Sequence, residues 1–319
     1  MEKAIPLALA ASLCTATASV CQRFGARGSE TKGFDIWLVF RLARRPVWLL
    51  GVASMILGFV FQMTALHFGP LALVQPILAL ELLFVFACMT IIGSRRVVKV
   101  KWRDWLAAVA MSVGIGLFLG IASPSGGRLH ASASSWWLAG LIVFGIVLLA
   151  LAVAFSRGRR PGASCSRRAG VLGAATGISW GFVAAVIKEF SSHLGDGIGA
   201  IVSSWSLYVL IIVGAATLLL ASHALAAGPL AASQPGFTIL DPLSASLLGL
   251  FLFGEHMRAG AMDLAGEGLA LAVLIAGVSA LSHSHLIVGE DGPIAGKDRP
   301  PYAESAGYRA RGHGERSCR

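Results

Sequence analysis

Long apolar runs alternate with short polar segments along most of the chain, and the runs are continuous rather than alternating in the two-residue rhythm of a strand. Nine such runs cover about 4–22, 46–66, 71–92, 104–122, 136–155, 169–187, 200–223, 230–253 and 262–282. Each is near the roughly 20 residues that an α-helix needs to cross a bilayer core of about 30 Å. Continuous runs predict helices, because a barrel strand alternates lipid-facing and lumen-facing residues. The pattern therefore predicts an all-α polytopic membrane protein with nine transmembrane helices. The first run lacks an A-x-A-like cleavage site and its flank holds only Glu2 and Lys3, so it is read as a span rather than a signal peptide.

Two of the polar corners repeat each other. Residues 69–76 read GPLALVQP and residues 228–235 read GPLAASQP, identical at six of eight positions and 159 residues apart. At that offset the second, third and fourth runs fall on the seventh, eighth and ninth, and the first falls near the sixth. The fifth has no counterpart. Partners lie five spans apart, an odd number, so the second set must be inverted relative to the first. The expected organisation is 4+1+4: a first repeat over 1–122, a linker with the fifth span over 123–168, an inverted second repeat over 169–288, and a disordered cytoplasmic tail over 289–319. Inverted repeats are a recurrent plan of secondary transporters, with the substrate near the midplane between them. In each corner, glycine (Gly69, Gly228) suits a tight reversal and proline (Pro70, Pro229) suits the first turn of the next helix. Pro76, Pro235 and Pro242 lie inside the helices, where a missing N–H frees a carbonyl four residues back and predicts a kink.

Charge adds direction. Taken alternately, one set of inter-span segments holds four of the 26 Lys and Arg residues (Lys3, Arg128, Lys188, Arg258), and the other holds 22. Lys- and Arg-rich loops remain cytoplasmic. The expected placement is the cell (inner) membrane with the N-terminus outside and the C-terminus inside. Composition agrees, with 56% hydrophobic and 13% charged residues. The net charge of +10 reads as topogenic charge beside anionic lipid rather than as a nucleic-acid surface. Segment 36–43 is apolar but short and broken by Arg41, which suits an interfacial or re-entrant element. The five cysteines show no metal or disulfide spacing, so free thiols are expected. No H-E-x-x-H or G-x-S-x-G constellation is present, and an enzyme is not expected. A cofactor is not expected either.

Few groups are left to do chemistry. Glu81 and Asp241 lie near the middle of the third and eighth spans, where a carboxylate costs about 2.5–3.5 kcal/mol or more, so each is a functional candidate. Gln75 and Gln234 precede them by six and seven residues. Gln234, Thr238 and Asp241 share a helix face, and QPGFTILDP reads as a broken helix offering an amide, a hydroxyl, a carboxylate and bare carbonyls. Glu81 stands one residue off the repeat equivalent of Asp241, a rotation of about 100° on an ideal helix. The expected solute or ion pathway is Gln75, Glu81, Gln234, Thr238 and Asp241. Gln62, His223 and Glu267 are secondary candidates. Asp263, Glu267, Glu255 and His256 read as an acidic outer mouth or a solvated helix end. Lys188 reads as a snorkelling side chain, and Trp102, Trp105, Trp136 and Trp137 as interfacial anchors. HSH at 283–285 reads as a cytoplasmic helix end rather than a metal site.

The stretches ALHFGPLALVQPILALE and ALAAGPLAASQPGFTILDPLSASLLGLFLFGE, the latter closing on Phe253, Gly254 and Glu255, resemble the EamA-like units of the drug/metabolite transporter superfamily. Residues 45–80 are more closely similar to NIPA-type magnesium transporters, which also have nine spans and an external N-terminus. That resemblance implies a secondary-type carrier of a small polar or cationic solute working by alternating access. If the cargo is Mg²⁺, Asp241 and Glu81 are its ligands. NIPA-type proteins usually carry Glu after the glycine of the MILG stretch, whereas Gly58 here is followed by Phe59, and this favours an organic solute. The alternative of a different class is a non-transporting membrane scaffold or assembly protein. The expected partners are the lipid bilayer, the solute or cation, a coupling proton or cation, and as an option a second copy in a homodimer, but no nucleic acid.

Overall fold

The structure is a computed structural model. It describes residues 2–26, 44–81, 83–85, 87–88, 102–155, 161–227, 230–257 and 260–282. Segment 36–43, the corner residues Gly228 and Pro229, the 283–285 stretch and the tail lie outside them. The described chain is almost wholly helical. Its helices are α1 (Ala4–Ala26), α2 (Pro46–Phe68), α3 (Leu71–Leu78), α4 (Trp102–Ala122), α5 (Ala133–Phe155), α6 (Pro161–Ser191), α7 (Ile198–Ser203), α8 (Trp205–Ala226), α9 (Leu230–Phe253) and α10 (Ala261–Ser282). Among the described residues seven helices are long and apolar enough to cross a membrane, and two shorter apolar stretches accompany them at Leu71–Val85 and Ala265–Gly277. The chain is thus a multi-pass helical membrane protein by length and composition of its helices.

Several boundaries differ from the sequence reading. α1 runs to Ala26 and α6 begins at Pro161, so both continue into segments read as polar loops. The seventh apolar run is not one helix. Ser204 is extended (ψ 130°) and separates α7 from α8, while its hydroxyl donates to the Ile201 carbonyl at 2.8 Å. α9 is continuous across Pro235, Gly236 and Pro242, which corrects the expected broken helix. Its backbone is held against α6, and the Ser244 and Ser246 hydroxyls donate back to the carbonyls of Asp241 and Pro242 at 3.1 and 2.7 Å. In the first half the interruption is real but lies past Pro76. Ala79 and Leu80 form a turn in which the Leu80 N–H donates to the Ile77 carbonyl, three residues back, and helix resumes at Glu81.

Small residues set the helix spacing. α6 packs most extensively on α9. Gly173, Gly177 and Gly181 form a ridge of period four on α6, and a Cβ on any of them would run into the α9 backbone around Ser233, Gly236, Asp241 and Ala245. Without a hydrophobic force between helices in lipid, such close backbone approach supplies the attraction. Gly58 of α2 lies against Ala11, Cys14 and Thr15 of α1, while Gly114 of α4 lies against Leu274 of α10. Gly69 is needed for space rather than for its backbone angles. Its φ of −140° suits any residue, but a Cβ there would meet the Cβ of Ala4 at 2.5 Å.

One end of the bundle can be followed contact by contact. Lys3 at the start of α1 lies over the ring of Phe68 at the end of α2. The start of α3 touches Glu255 just past α9. The residues after α4 and after α9 pair as a two-stranded antiparallel ribbon, β1 (Ser125–Gly126) with β2 (Glu255–His256). Trp136 early in α5 meets Phe182 of α6, Trp205 at the start of α8 and Phe253 at the end of α9. α10 runs opposite to α4, with Gly266 level with Ile121 and Gly277 level with Met111. At this end α1, α3, α5, α8 and α10 begin, and α2, α4, α6 and α9 finish. The described Lys and Arg residues here are Lys3, Arg128 and Lys188, all from the sparse set.

Candidate functional site

Asp241 and Glu81, both half-buried, lie in the same region of the bundle. Asp241 sits midway along α9, and Glu81 sits where helix resumes after the Ala79–Leu80 turn. They are close enough for their charges to interact. The Ser19 hydroxyl of α1 donates to Glu81 Oε1 at 3.0 Å, and Thr15 stands beside the same carboxyl. Gln75 is 3% exposed, and its Nε2 has no hydrogen-bond partner among the described residues. Asp241 Oδ1 is likewise shut away from solvent without one. Buried polar atoms in folded proteins are nearly always paired, so these two are the atoms to watch. Asp241 is held in place from behind by the glycine ridge, since its backbone lies against Gly177 and Gly181. Thr238 is half-buried one turn before it. The Gln234 side chain lies outside the described residues.

Of the secondary candidates, Gln62 is half-buried on α2. His223 is exposed and lines one end of an apolar groove of about 980 Å³ between α5 and α8, away from the carboxyls. Glu267 is half-buried on α10, with Oε1 shielded and unpaired among the described residues and Asp263 one turn before it.

Glu255 does not belong to an acidic mouth. It is buried together with Lys188, their side chains 0% and 3% exposed, and Lys188 Nζ donates to Glu255 Oε1 at 2.5 Å. Lys188 therefore does not snorkel. A lysine at the end of an apolar helix reaches water only if nothing covers it, and here Phe253 and the start of α3 do. Its ammonium lies 4.9 Å from the Phe253 ring centroid and 3.5 Å from the Gly69 carbonyl. Glu255 in turn accepts hydrogen bonds from the Leu71 and Ala72 N–H groups, at 2.6 and 3.0 Å. These are unpaired donors at the positive end of a helix, which favour a carboxylate. Next to this pair a second buried acid, Glu189, accepts from the Ala131 N–H at 3.1 Å and from the Trp136 indole at 3.2 Å, with His130 Nδ1 at 3.0 Å. Trp136 is accordingly a core residue and not an interfacial anchor, whereas Trp102, Trp105 and Trp137 are exposed. The adjacent Lys188 and Glu189 in the last turn of an apolar helix were the sequence signal for both clusters. Sequence spacing alone did not join them to Glu255, 66 residues on from Glu189, or to Trp136.

Two carboxyls within electrostatic range of each other inside a helical bundle, one of them with hydroxyls beside it, can take up a proton or a cation, or hold a polar solute through hydrogen bonds. Cys14, Cys21 and Cys88 are free thiols. Among the described residues no group of three or more His, Cys, Asp or Glu side chains is placed to hold a metal ion. No family model matches the chain, and no solved structure matches it. It is similar to an uncharacterised protein of Corynebacterium glutamicum, 27% identical over 286 residues, covering 88% of this chain and 95% of the relative.

Proposed function

We propose that the chain is a secondary-type membrane carrier that moves a small polar or cationic solute by alternating access, built as nine spans in a 4+1+4 inverted repeat of the drug/metabolite transporter type. The observation that carries the reading is that Glu81 and Asp241, one from each half, lie within electrostatic range of each other, with Asp241 Oδ1 and Gln75 Nε2 buried and unpaired among the described residues. Buried ionisable groups in a membrane are expensive and serve pathways, relays or counter-ions. A scaffold has no use for such an arrangement.

The helix directions support the repeat. α1, α2, α3 and α4 correspond by sequence offset to α6, α8, α9 and α10, and in every pair the two run in opposite senses. α3 packs along α9 and α4 along α10, as expected of elements exchanged by a pseudo-two-fold axis in the membrane plane. The Lys- and Arg-poor end then faces outward in the cell membrane.

The test is uptake into proteoliposomes of purified protein, after a thermal-stabilisation screen against amino acids, cationic drugs and Mg²⁺ has named a ligand. Wild type is expected to carry that ligand, and Asp241→Asn to lose the flux while remaining folded. Unchanged flux in Asp241→Asn sinks the site. Absence of any flux across the panel sinks the carrier.

A further inference from the structure

We propose that Glu255, Lys188 and the N-terminus of α3 form the outer gate of the carrier, closed in this conformation, and that they must separate for the centre to open outward. The inference rests on the alternating-access reading. The latch ties the two halves together at the outer end of the bundle. Lys188 and Glu255 belong to the second half, and the groups they hold, the Leu71 and Ala72 N–H and the Gly69 carbonyl, belong to the first. Beside it the β1–β2 ribbon joins the linker that directly follows α4 to the second half, and the Arg128 N–H donates to the Phe253 carbonyl at 2.8 Å.

Burial is graded along the bundle in the way such a gate requires. On α3, Leu71 through Ile77 are all buried, while Leu78 and the described residues that follow α3 up to Cys88 are half-buried. On α6, every residue from Gly181 to Ser191 is buried, and half-buried positions recur before it. On α9, most positions from Ala245 onward are buried, except for lipid-facing ones such as Leu247 and Phe251, and those from Gly236 to Asp241 are half-buried. All three helices are sealed at the latch end and looser at the other. Of the free thiols, Cys21 and Cys88 are half-buried in that looser part.

The chemistry makes the latch breakable. A carboxylate in hydrocarbon needs a cation or N–H donors, and Glu255 has both in this state. When α3 moves away, Glu255 retains Lys188, so no charge is stranded while the seal between the halves is lost. The carboxylate is thus shared between a partner that travels with it and one that does not.

The experiment labels cysteines in full-length protein in lipid nanodiscs with a small maleimide, each site followed by peptide mass spectrometry. Gln75→Cys reports the sealed half, and the native Cys21 and Cys88 report the looser half. Glu255→Gln is expected to raise the Gln75→Cys rate at least tenfold and to slow Cys21 and Cys88 at the same time, because one side opens as the other closes. An unchanged Gln75→Cys rate, or all three sites speeding up together, overturns the gate. The exchange Lys188→Glu with Glu255→Lys is expected not to restore protection, since an ammonium cannot accept from the α3 N–H groups. Restoration would reduce the latch to a plain ion pair and overturn its α3 half. Should Glu255→Gln fail to fold, a Ser125→Cys, His256→Cys pair at two exposed ribbon positions serves instead. Its oxidised form is expected to cut Gln75→Cys labelling at least tenfold, reversibly with reductant, and no change would overturn the proposal. Flux without reciprocal labelling sinks the latch and leaves the carrier, whereas reciprocal labelling without flux of any solute does the opposite.

Discussion

Replacing Gly181 by valine tests whether the glycine ridge of α6 places the Asp241 carboxyl. An ideal Cβ at Gly181 would lie 2.9 Å from the Asp241 carbonyl oxygen and 2.8 Å from the Ala245 nitrogen, both backbone atoms that cannot swing aside. Comfortable non-bonded contact starts near about 3.5 Å. α9 must therefore retreat by roughly half an ångström, and valine's two further methyls demand more. Overpacking of this kind costs about 1–3 kcal/mol. The helix-propensity gain on leaving glycine offsets only a few tenths, because valine itself is a modest helix former (about 0.4 kcal/mol). A net loss of about 2 kcal/mol lowers Tm by about 4–8 °C at the 2–4 °C per kcal/mol of a chain of a few hundred residues. Gly145→Ala on α5 is the control. No atom lies within 4 Å of a Cβ there, so the change should stabilise by up to about 1 kcal/mol. The assay is thermal unfolding in detergent micelles with ligand-induced stabilisation measured on the same samples. Gly181→Val should melt lower and lose the ligand shift, because Asp241 moves with its backbone. A wild-type melting curve for Gly181→Val, or an equal loss in Gly145→Ala, refutes the reasoning.

Lys188→Met strands the Glu255 carboxylate with only two N–H donors and should cost about 3–5 kcal/mol in unfolding free energy. Lys188→Met with Glu255→Gln should recover most of that, since a buried pair is weak in net terms and dear only when halved. Equal losses in both variants, measured by reversible unfolding in mixed micelles, would remove the ion pair from the energetics. Trp136→Phe keeps the ring packing but removes the indole donor to Glu189, and should cost about 1–3 kcal/mol. Trp137→Phe, at an exposed position, should cost nothing measurable by the same melt. Impermeant-reagent labelling of whole cells should reach a cysteine placed at Lys3 but not the native Cys318. Labelling of both ends from one side would discard the nine-span topology.

Much of the architecture was legible along the chain. Uninterrupted apolar runs of bilayer length have one satisfactory backbone solution in lipid, the helix, because it pairs its own N–H and C=O groups. Loop charge and the duplicated corner carry the proposed direction and the proposed correspondence, which are properties of order along the chain. Asp241 and Glu81 were visible for the same reason, since a carboxyl inside an apolar run is conspicuous. What only the tertiary structure decided concerns residues distant in sequence. Whether Pro76 or Pro242 breaks its helix depends on what packs against it: α9 stays continuous on the α6 glycine ridge, and α3 turns at Ala79–Leu80. Whether Lys188 reaches water or Glu255 depends on what covers the end of α6, and Phe253 and α3 come from opposite halves of the chain. Helix formation in a bilayer is a local matter of backbone hydrogen bonds, but the burial of a charge is settled by the neighbours that folding brings to it.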